Sequence, residues 1–393
     1  MQIYKFIMKN YIERDIRDSV KEAADQYPIV TLTGPRQSGK STFLRHTFPE
    51  YKYVNLENPD IREFAQNDPR GFIASYPDKT IIDEIQRIPE LLSYLQPYVD
   101  EIDSPGMYLL SGSQNLLLMK SIKQSMAGRT AVFHLLPFSR KELHNANKLP
   151  ELISTQIFNG FYPRLYDMNI RPTRYYADYV QTYVERDVKN IIRIVDMNKF
   201  NRFIKLCAAR IGQLMNISSL ANDADISVPT AESWLSVLET SFIVYKLKPY
   251  HVNYNKRIIK SPKLYFYDTG LACYLLGIKN IEELDLSYMK GALFENIVVN
   301  QFVKDSYNRG EDPAIYFWRD SQGVEVDLLV GEGQNMTAYE IKSGKTFHST
   351  FFDGLETWGK LSGIPIEHRR VIYDGDTNLA TSSGELLAWS KLF

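Results

Sequence analysis

Cysteine is nearly missing from the chain: there are two in 393 residues, Cys207 in "IKLCAARI" and Cys273 in "GLACYLL". Two thiols in apolar stretches argue against a disulfide framework or a cysteine-built metal centre and read as small buried hydrophobes in a reducing, cytoplasmic setting. Long hydrophobic runs are missing too, none approaching the ~18 apolar residues of a membrane span. The opening "MQIYKFIMKNYIERDI" is too charged for the apolar core of a signal peptide, so a soluble protein with no membrane partner is expected. Net charge is almost absent, with 46 Lys+Arg against 47 Asp+Glu. Global charge therefore argues neither for nor against a nucleic-acid partner, and any basic surface must be local. Repeats and low-complexity tracts are absent, and 44% hydrophobic with 24% charged residues is the composition of a chain that folds into cores.

At 393 residues the chain exceeds what one hydrophobic core usually supports, so two or three domains are expected. Apolar runs "YPIVTLT", "YKYVNLE", "KTIIDEI" and "GMYLLSGS" alternate with helix-like segments such as "ELLSYLQPYVDEI". That alternation predicts a parallel sheet covered on both faces over residues 1–150. After "LLPFSRKEL" the apolar spacing turns to three and four residues, in "TRYYADYVQTYVERDVKNIIRIV" and "NKFNRFIKLCAARI". A short helix, a turn, a second helix opened by Pro229 and an alternating strand follow, the order of a winged helix-turn-helix, over 151–264. From 265 to 393 a mixed segment closes the chain, with "YFWRDSQGVEVDLLV" and "MTAYEIKSG" as neighbouring strands.

The first chemical signal is "GPRQSGKST", Gly34, Pro35, Arg36, Gln37, Ser38, Gly39, Lys40, Ser41 and Thr42, which matches G-x-x-x-x-G-K-[ST] between an apolar strand and a helix. Glycines let backbone N–H groups curl around phosphate oxygens, Lys40 supplies a positive charge there, and the Ser41 hydroxyl can serve Mg²⁺ at a helix N-terminus that favours anions. Some forty residues on, Asp83 and Glu84 end an apolar strand, placed to hold the Mg²⁺ shell and to polarise an attacking water. Ser113, ending the next strand in "LLSGSQN", is a candidate γ-phosphate sensor or ordinary strand-end turn chemistry. Arg129 in "SMAGRT" is a surface arginine or a finger that reaches a neighbouring copy's nucleotide.

These blocks, in this order with "IDEIQRIPEL", "LSGSQNLLL" and "AGR…LLPFS", resemble the prokaryotic AAA-like P-loop ATPases. The resemblance runs nearly the length of the chain, through "FYDTGLACYLLG", "GALFENIVVNQF" and "YEIKSGKT". It implies ATP and Mg²⁺ as cofactors, ATP binding by residues 34–42, Glu84 as the catalytic glutamate with Asp83 at the metal, and a nucleotide-facing role for Arg14 in "YIERDI". Arg186 in "YVERDV" also falls in a family block, without an assigned role.

The closing "EIKSG" lacks P-loop spacing. Glu340 and Lys342 alternate onto one strand face, Asp327 sits in the apolar strand before them, and Glu295 lies on a helix-like segment. Glu, Asp and Glu-x-Lys in this order resemble the PD-(D/E)xK nuclease fold, in which acidic groups on adjoining strands hold Mg²⁺ and the lysine serves water or phosphate. A structural ion pair between Glu340 and Lys342 is the alternative. Between the two motifs, Lys246, Lys248, Lys256, Arg257, Lys260 and Lys263 occur among tyrosines with no acid between them. Lys256, Arg257 and Lys260 are candidate DNA contacts, or one face of a solvated hairpin.

The expected fold is α/β: an N-terminal AAA-like P-loop sheet, a helical and winged-helix middle, and a C-terminal restriction-endonuclease-like domain. The expected function is Mg²⁺-dependent ATP hydrolysis coupled to a nuclease-like, DNA-binding module. The alternative is a nucleotide-switched module that binds a protein partner and does not cleave. Whether the chain works as an oligomer is not encoded in these motifs.

Overall fold

The computed structural model describes residues 11–113, 126–184, 196–250, 261–331 and 336–392. Five parallel strands form the first sheet: β1 (Ile29–Thr33), β2 (Lys52–Asn55), β3 (Thr80–Asp83), β4 (Tyr108–Ser111) and β5 (Thr130–His134), in the order β2-β3-β4-β1-β5. Every residue of β1, β3 and β4 is buried, as expected of central strands covered on both faces. Side chains alternate between two cores. Ile29, Ile82 and Leu110 pack on one side with Phe72, Leu92 and Leu95. Val30, Leu32, Ile81 and Leu109 pack on the other with Ile16, Val20, Phe43 and Leu44. The covering helices start where local chemistry permits: Asn58 and Asp68 each accept a backbone N–H at the head of a helix whose first residue is proline.

The middle of the chain is helical. Ile217–Asp223 and Val228–Thr240 stand in the sequence order expected for a helix-turn-helix, followed by the antiparallel ribbon β6 (Val244–Leu247) and β7 (Lys263–Phe266). The C-terminal sheet is mixed: β8 (Ile315–Arg319), β9 (Glu325–Val330), β10 (Thr337–Lys342), β11 (Arg369–Tyr373), β12 (Leu379–Thr381) and β13 (Gly384–Ala388), ordered β12-β13-β11-β10-β9-β8. The helices Lys290–Asn308 and Asp353–Ser362 both pack on this sheet. One large core runs from Leu136 and Phe138 through the helices to Phe317, Tyr339 and Ile372. Cys207 and Cys273 are free and buried in it. No described helix is long and apolar enough to cross a membrane.

The basic stretch between 246 and 263 needs correcting. Lys246 pairs with Glu239 at 2.8 Å, and Lys263 is 2% exposed because it opens β7 inside the core rather than facing solvent. Lys256, Arg257 and Lys260, and also Arg186, lie outside the described residues.

The N-terminal segment is fastened by one buried side chain. Arg14 donates to the Ser38 carbonyl (3.0 Å), the Leu136 carbonyl (2.6 Å) and Glu142 Oε1 (2.9 Å). Glu142 also closes a capping box with Ser139. Arg14→Ala strands the Glu142 carboxylate, which is inaccessible to solvent, so stability should fall by about 3–5 kcal/mol in denaturant unfolding. Arg14→Met combined with Glu142→Gln should recover much of that loss. Equal stability of Arg14→Ala and wild type would show that the pair carries no such role.

Candidate functional site

The loop between β1 and the helix Lys40–Thr47 is shaped by two glycines. At Gly34 (φ +145°) a Cβ would lie 2.3 Å from the Leu135 carbonyl oxygen, and Gly39 (φ +94°) takes the left-handed turn that admits the chain into the helix. Lys40 folds back into the loop and donates to the carbonyls of Gly34 (3.0 Å) and Pro35 (2.8 Å). Burial pushes its ammonium down to about 8, against the opposing pull of Glu84 and Asp83.

The parallel register sets Asp83 beside Asn55 on one side and Ser111 on the other. One Asp83 oxygen accepts from the Tyr53 hydroxyl at 2.6 Å, and the other accepts from the Ser111 hydroxyl and from the Glu84 N–H at 3.2 Å. The Asp83 carboxylate and the Ser41 hydroxyl are hard oxygen donors, the kind Mg²⁺ takes. Among the described residues no group of three or more His, Cys, Asp or Glu side chains is placed to hold a metal ion. Glu84 sits in a left-handed conformation (φ +58°) directly after β3, and burial raises its carboxyl above the usual range while Lys40 opposes the shift. Gln86 donates to Glu84 Oε2 and to Ser113 Oγ, the latter at 3.0 Å, joining the two residues.

Lys40, Ser41 and Glu84 line a cavity of about 530 Å³ together with Arg14, Arg36, Gln37, Ser38, Gly39 and Thr42. Tyr11, Ile12, Phe138, Pro163 and Met168 add apolar surface to its lining, and Lys148, Arg164 and Asp167 add charge. Arg129 is elsewhere. It precedes β5, at the end of the sheet away from the loop, where its guanidinium grips both oxygens of Asp100 (Nη2–Oδ2 2.8 Å). Sequence reading missed Tyr53, Ser111 and Gln86. Ser111 and Gln86 stand within motifs already singled out, whereas nothing in "YKYVNLE" distinguishes Tyr53 from a packing tyrosine.

The second group also converges. Glu295 comes from the helix Lys290–Asn308, Asp327 from β9, and Glu340 and Lys342 from β10, whose antiparallel pairing with β9 sets Thr337 opposite Val330. Asp327 accepts the Ile341 N–H at 2.8 Å, and its carboxyl is raised by burial first and then by Glu340 and Glu295. Glu340 pairs with Lys342, the ion pair that was the alternative reading of "EIK". Two unexpected members join them. Lys263 donates to Glu295 Oε1 at 3.0 Å and to Glu325, and Glu325 also pairs with Arg319 at 2.9 Å.

Residues 26–144 match the family described as AAA domain, and residues 150–282 and 290–392 match domains of unknown function, DUF8612 and DUF4143. The chain is 31% identical over 340 residues to the uncharacterized protein Rv2008c of Mycobacterium tuberculosis, covering 85% of this chain and 74% of that one. It is 23% identical over 355 residues to the uncharacterized protein MJ1544 of Methanocaldococcus jannaschii, covering 80% and 75%. Among solved structures, the Walker-type ATPase PABY2304 of Pyrococcus abyssi aligns at 15% identity and TM-score 0.46, over 68% of this chain and 96% of that one. The glycine-shaped loop on a parallel five-stranded sheet and the matched length agree: the chain belongs to the family of the mycobacterial protein Rv2008c, and its residues 26–144 are an AAA-like P-loop domain.

Proposed function

We propose that the chain binds ATP with Mg²⁺ at residues 34–42 and hydrolyses it. The observation that carries this reading is the convergence of Lys40, Asp83, Glu84 and Ser113 at the C-terminal ends of the parallel strands, beside a cavity lined by the glycine-shaped loop and by apolar and charged side chains. The N–H groups of the loop and of the first turn after Gly39 receive phosphate oxygens, and Lys40 leaves its two carbonyls to meet them. Ser41 and Asp83 would hold the Mg²⁺ ion, which would supply charge neutralisation at the phosphates. Glu84 accepts the proton of the attacking water, with Gln86 fixing its direction relative to Ser113. Tyr11 and Ile12, which line the same cavity, would offer apolar surface to the base of the nucleotide. Arg129, held by Asp100 at the end of the sheet away from the loop, fits the surface-arginine reading and takes no part in this site.

A second observation favours a nucleotide-controlled switch over a free-standing ATPase. Arg14 touches the loop at Ser38 and the segment after β5 at Leu136 and Glu142. That segment is fastened to the C-terminal part, with Arg140 donating to Gln301, Ser390 and Leu392 and Lys304 donating to the Phe138 carbonyl at 2.7 Å. A loop rearranged by phosphate therefore pulls on the helix Lys290–Asn308 through bonded side chains. The domain division 1–150, 151–264 and 265–393 is kept as the working scheme for this coupling.

Lys40→Ala removes a charge-assisted contact and should weaken ATP binding about ten- to a hundredfold by calorimetry. Glu84→Gln should leave binding intact while hydrolysis falls about 10²–10⁴-fold. Wild-type turnover by Glu84→Gln would remove the assignment of the base.

ATP affinity should depend on pH through Lys40. The free loop releases the Lys40 proton near pH 8, whereas bound phosphates favour the charged form, so binding takes up a proton above that pH. Affinity should be flat below about 8 and fall by up to about tenfold per pH unit above it. A flat profile to pH 9.5 or so would show that Lys40 stays charged in the free protein.

A further inference from the structure

Four carboxylates, those of Glu295, Glu325, Asp327 and Glu340, meet on one side of the C-terminal sheet, and the resemblance to a metal-dependent nuclease leads one to expect a divalent cation among them. The side chains present do not fit one. The Lys263 ammonium, 2% exposed, already lies against three of them, 3.0 Å from Glu295, ion-paired with Glu325, and with Asp327 Oδ1 3.9 Å away. Lysine offers N–H donors and no acceptor, and here it is engaged by the Glu295 and Glu325 carboxylates while Asp327 stands at ion-pair distance. Arg319 and Lys342 neutralise the outer oxygens of Glu325 and Glu340. Three cationic side chains thus compensate most of the charge of the four carboxylates without a metal. Among the described residues, Glu340 Oε2 is buried without a hydrogen-bond partner.

Mg²⁺ binds oxygens at ~2.0–2.1 Å in near-octahedral geometry and keeps several waters, whereas here the Lys263 ammonium already engages Glu295 and Glu325, and among the described residues no three acids are placed to hold an ion. A dissolved ion would also have to displace a cation covalently tethered to β7, which the ribbon pairing with β6 holds in register. Lys263 is not replaceable by relaxation: removing it leaves buried like charges facing one another, which raises their pKa values or draws in another cation. Burial first, and the neighbouring acids, already hold the Asp327 carboxyl high with the lysine present.

We infer that Lys263 holds the divalent-cation position of this acidic centre, so that the centre is a built-in ionic joint between the ribbon β6–β7, the helix Lys290–Asn308 and the C-terminal sheet and not a Mg²⁺-dependent phosphodiester-cleaving site. The inference stands apart from ATP hydrolysis. It bears on what the C-terminal part does: it holds the ribbon onto the sheet that the nucleotide-linked helix packs against.

The test is Mn²⁺ binding to the full chain without nucleotide, by electron paramagnetic resonance and by thermal unfolding, comparing wild type with Lys263→Met. Any Mn²⁺ taken at the P-loop is common to both proteins and cancels. Wild type should show no stabilisation attributable to the acidic centre, whereas Lys263→Met should gain one Mn²⁺ with affinity at least about tenfold above the wild-type background and a matching rise in melting temperature. Adding Asp327→Asn to Lys263→Met should abolish the gain. A wild-type Mn²⁺ site that Asp327→Asn removes would overturn the inference, and so would a folded Lys263→Met chain that gains no ion. If Lys263→Met does not fold alone, it is refolded with Mn²⁺ or with KCl at equal ionic strength. Recovery with Mn²⁺ only supports the replacement, and recovery with neither overturns it.

Discussion

The structure hangs on the buried guanidinium of Arg14. One side chain satisfies the carbonyl of a P-loop residue, the carbonyl at the end of β5 and a carboxylate that solvent does not reach. Its planar fork meets three acceptors in fixed directions, which a lysine in the same place could not do. Because the loop, the N-terminal arm and the 136–142 segment share that one donor set, none of them can move without the others. The same segment is bonded onward to Gln301 and Lys304, so the constraint reaches the far end of the chain.

Two lysines show opposite uses of burial. Lys40 is buried among carbonyl dipoles, and loss of solvation is the largest effect on it, so its ammonium is easily discharged and strongly drawn to phosphate. Lys263 is equally secluded but surrounded by carboxylates, which outweigh the loss of solvation and keep it charged. The first is a cation awaiting an anion. The second already has its anions. A chain can therefore carry two lysine-centred acidic sites of which only one is open to a ligand.

Much of the nucleotide site was legible in the sequence. The loop spacing, the apolar strand before it and the acids closing the third strand are local patterns, and a parallel sheet turns such patterns into neighbours by register alone. Gly34 could be named because backbone conformation is a property of the residue itself. Tyr53 and Gln86 could not be named, since what distinguishes them is a hydroxyl aimed across β3 and an amide spanning Glu84 and Ser113.

The acidic centre divides the same way. The sequence by itself determined that Glu340 and Lys342 share a face of one strand and that Asp327 lies on a neighbouring one, because strand alternation has a period of two. Only the tertiary structure decided what fills the space between them. Lys263 stands among lysines in the sequence and looks like part of a basic surface, yet β7 enters the core at that residue and delivers its ammonium to acids 32, 62 and 64 positions further along. Charge compensation between residues so distant is set by which elements pack together, and packing depends on the whole chain at once.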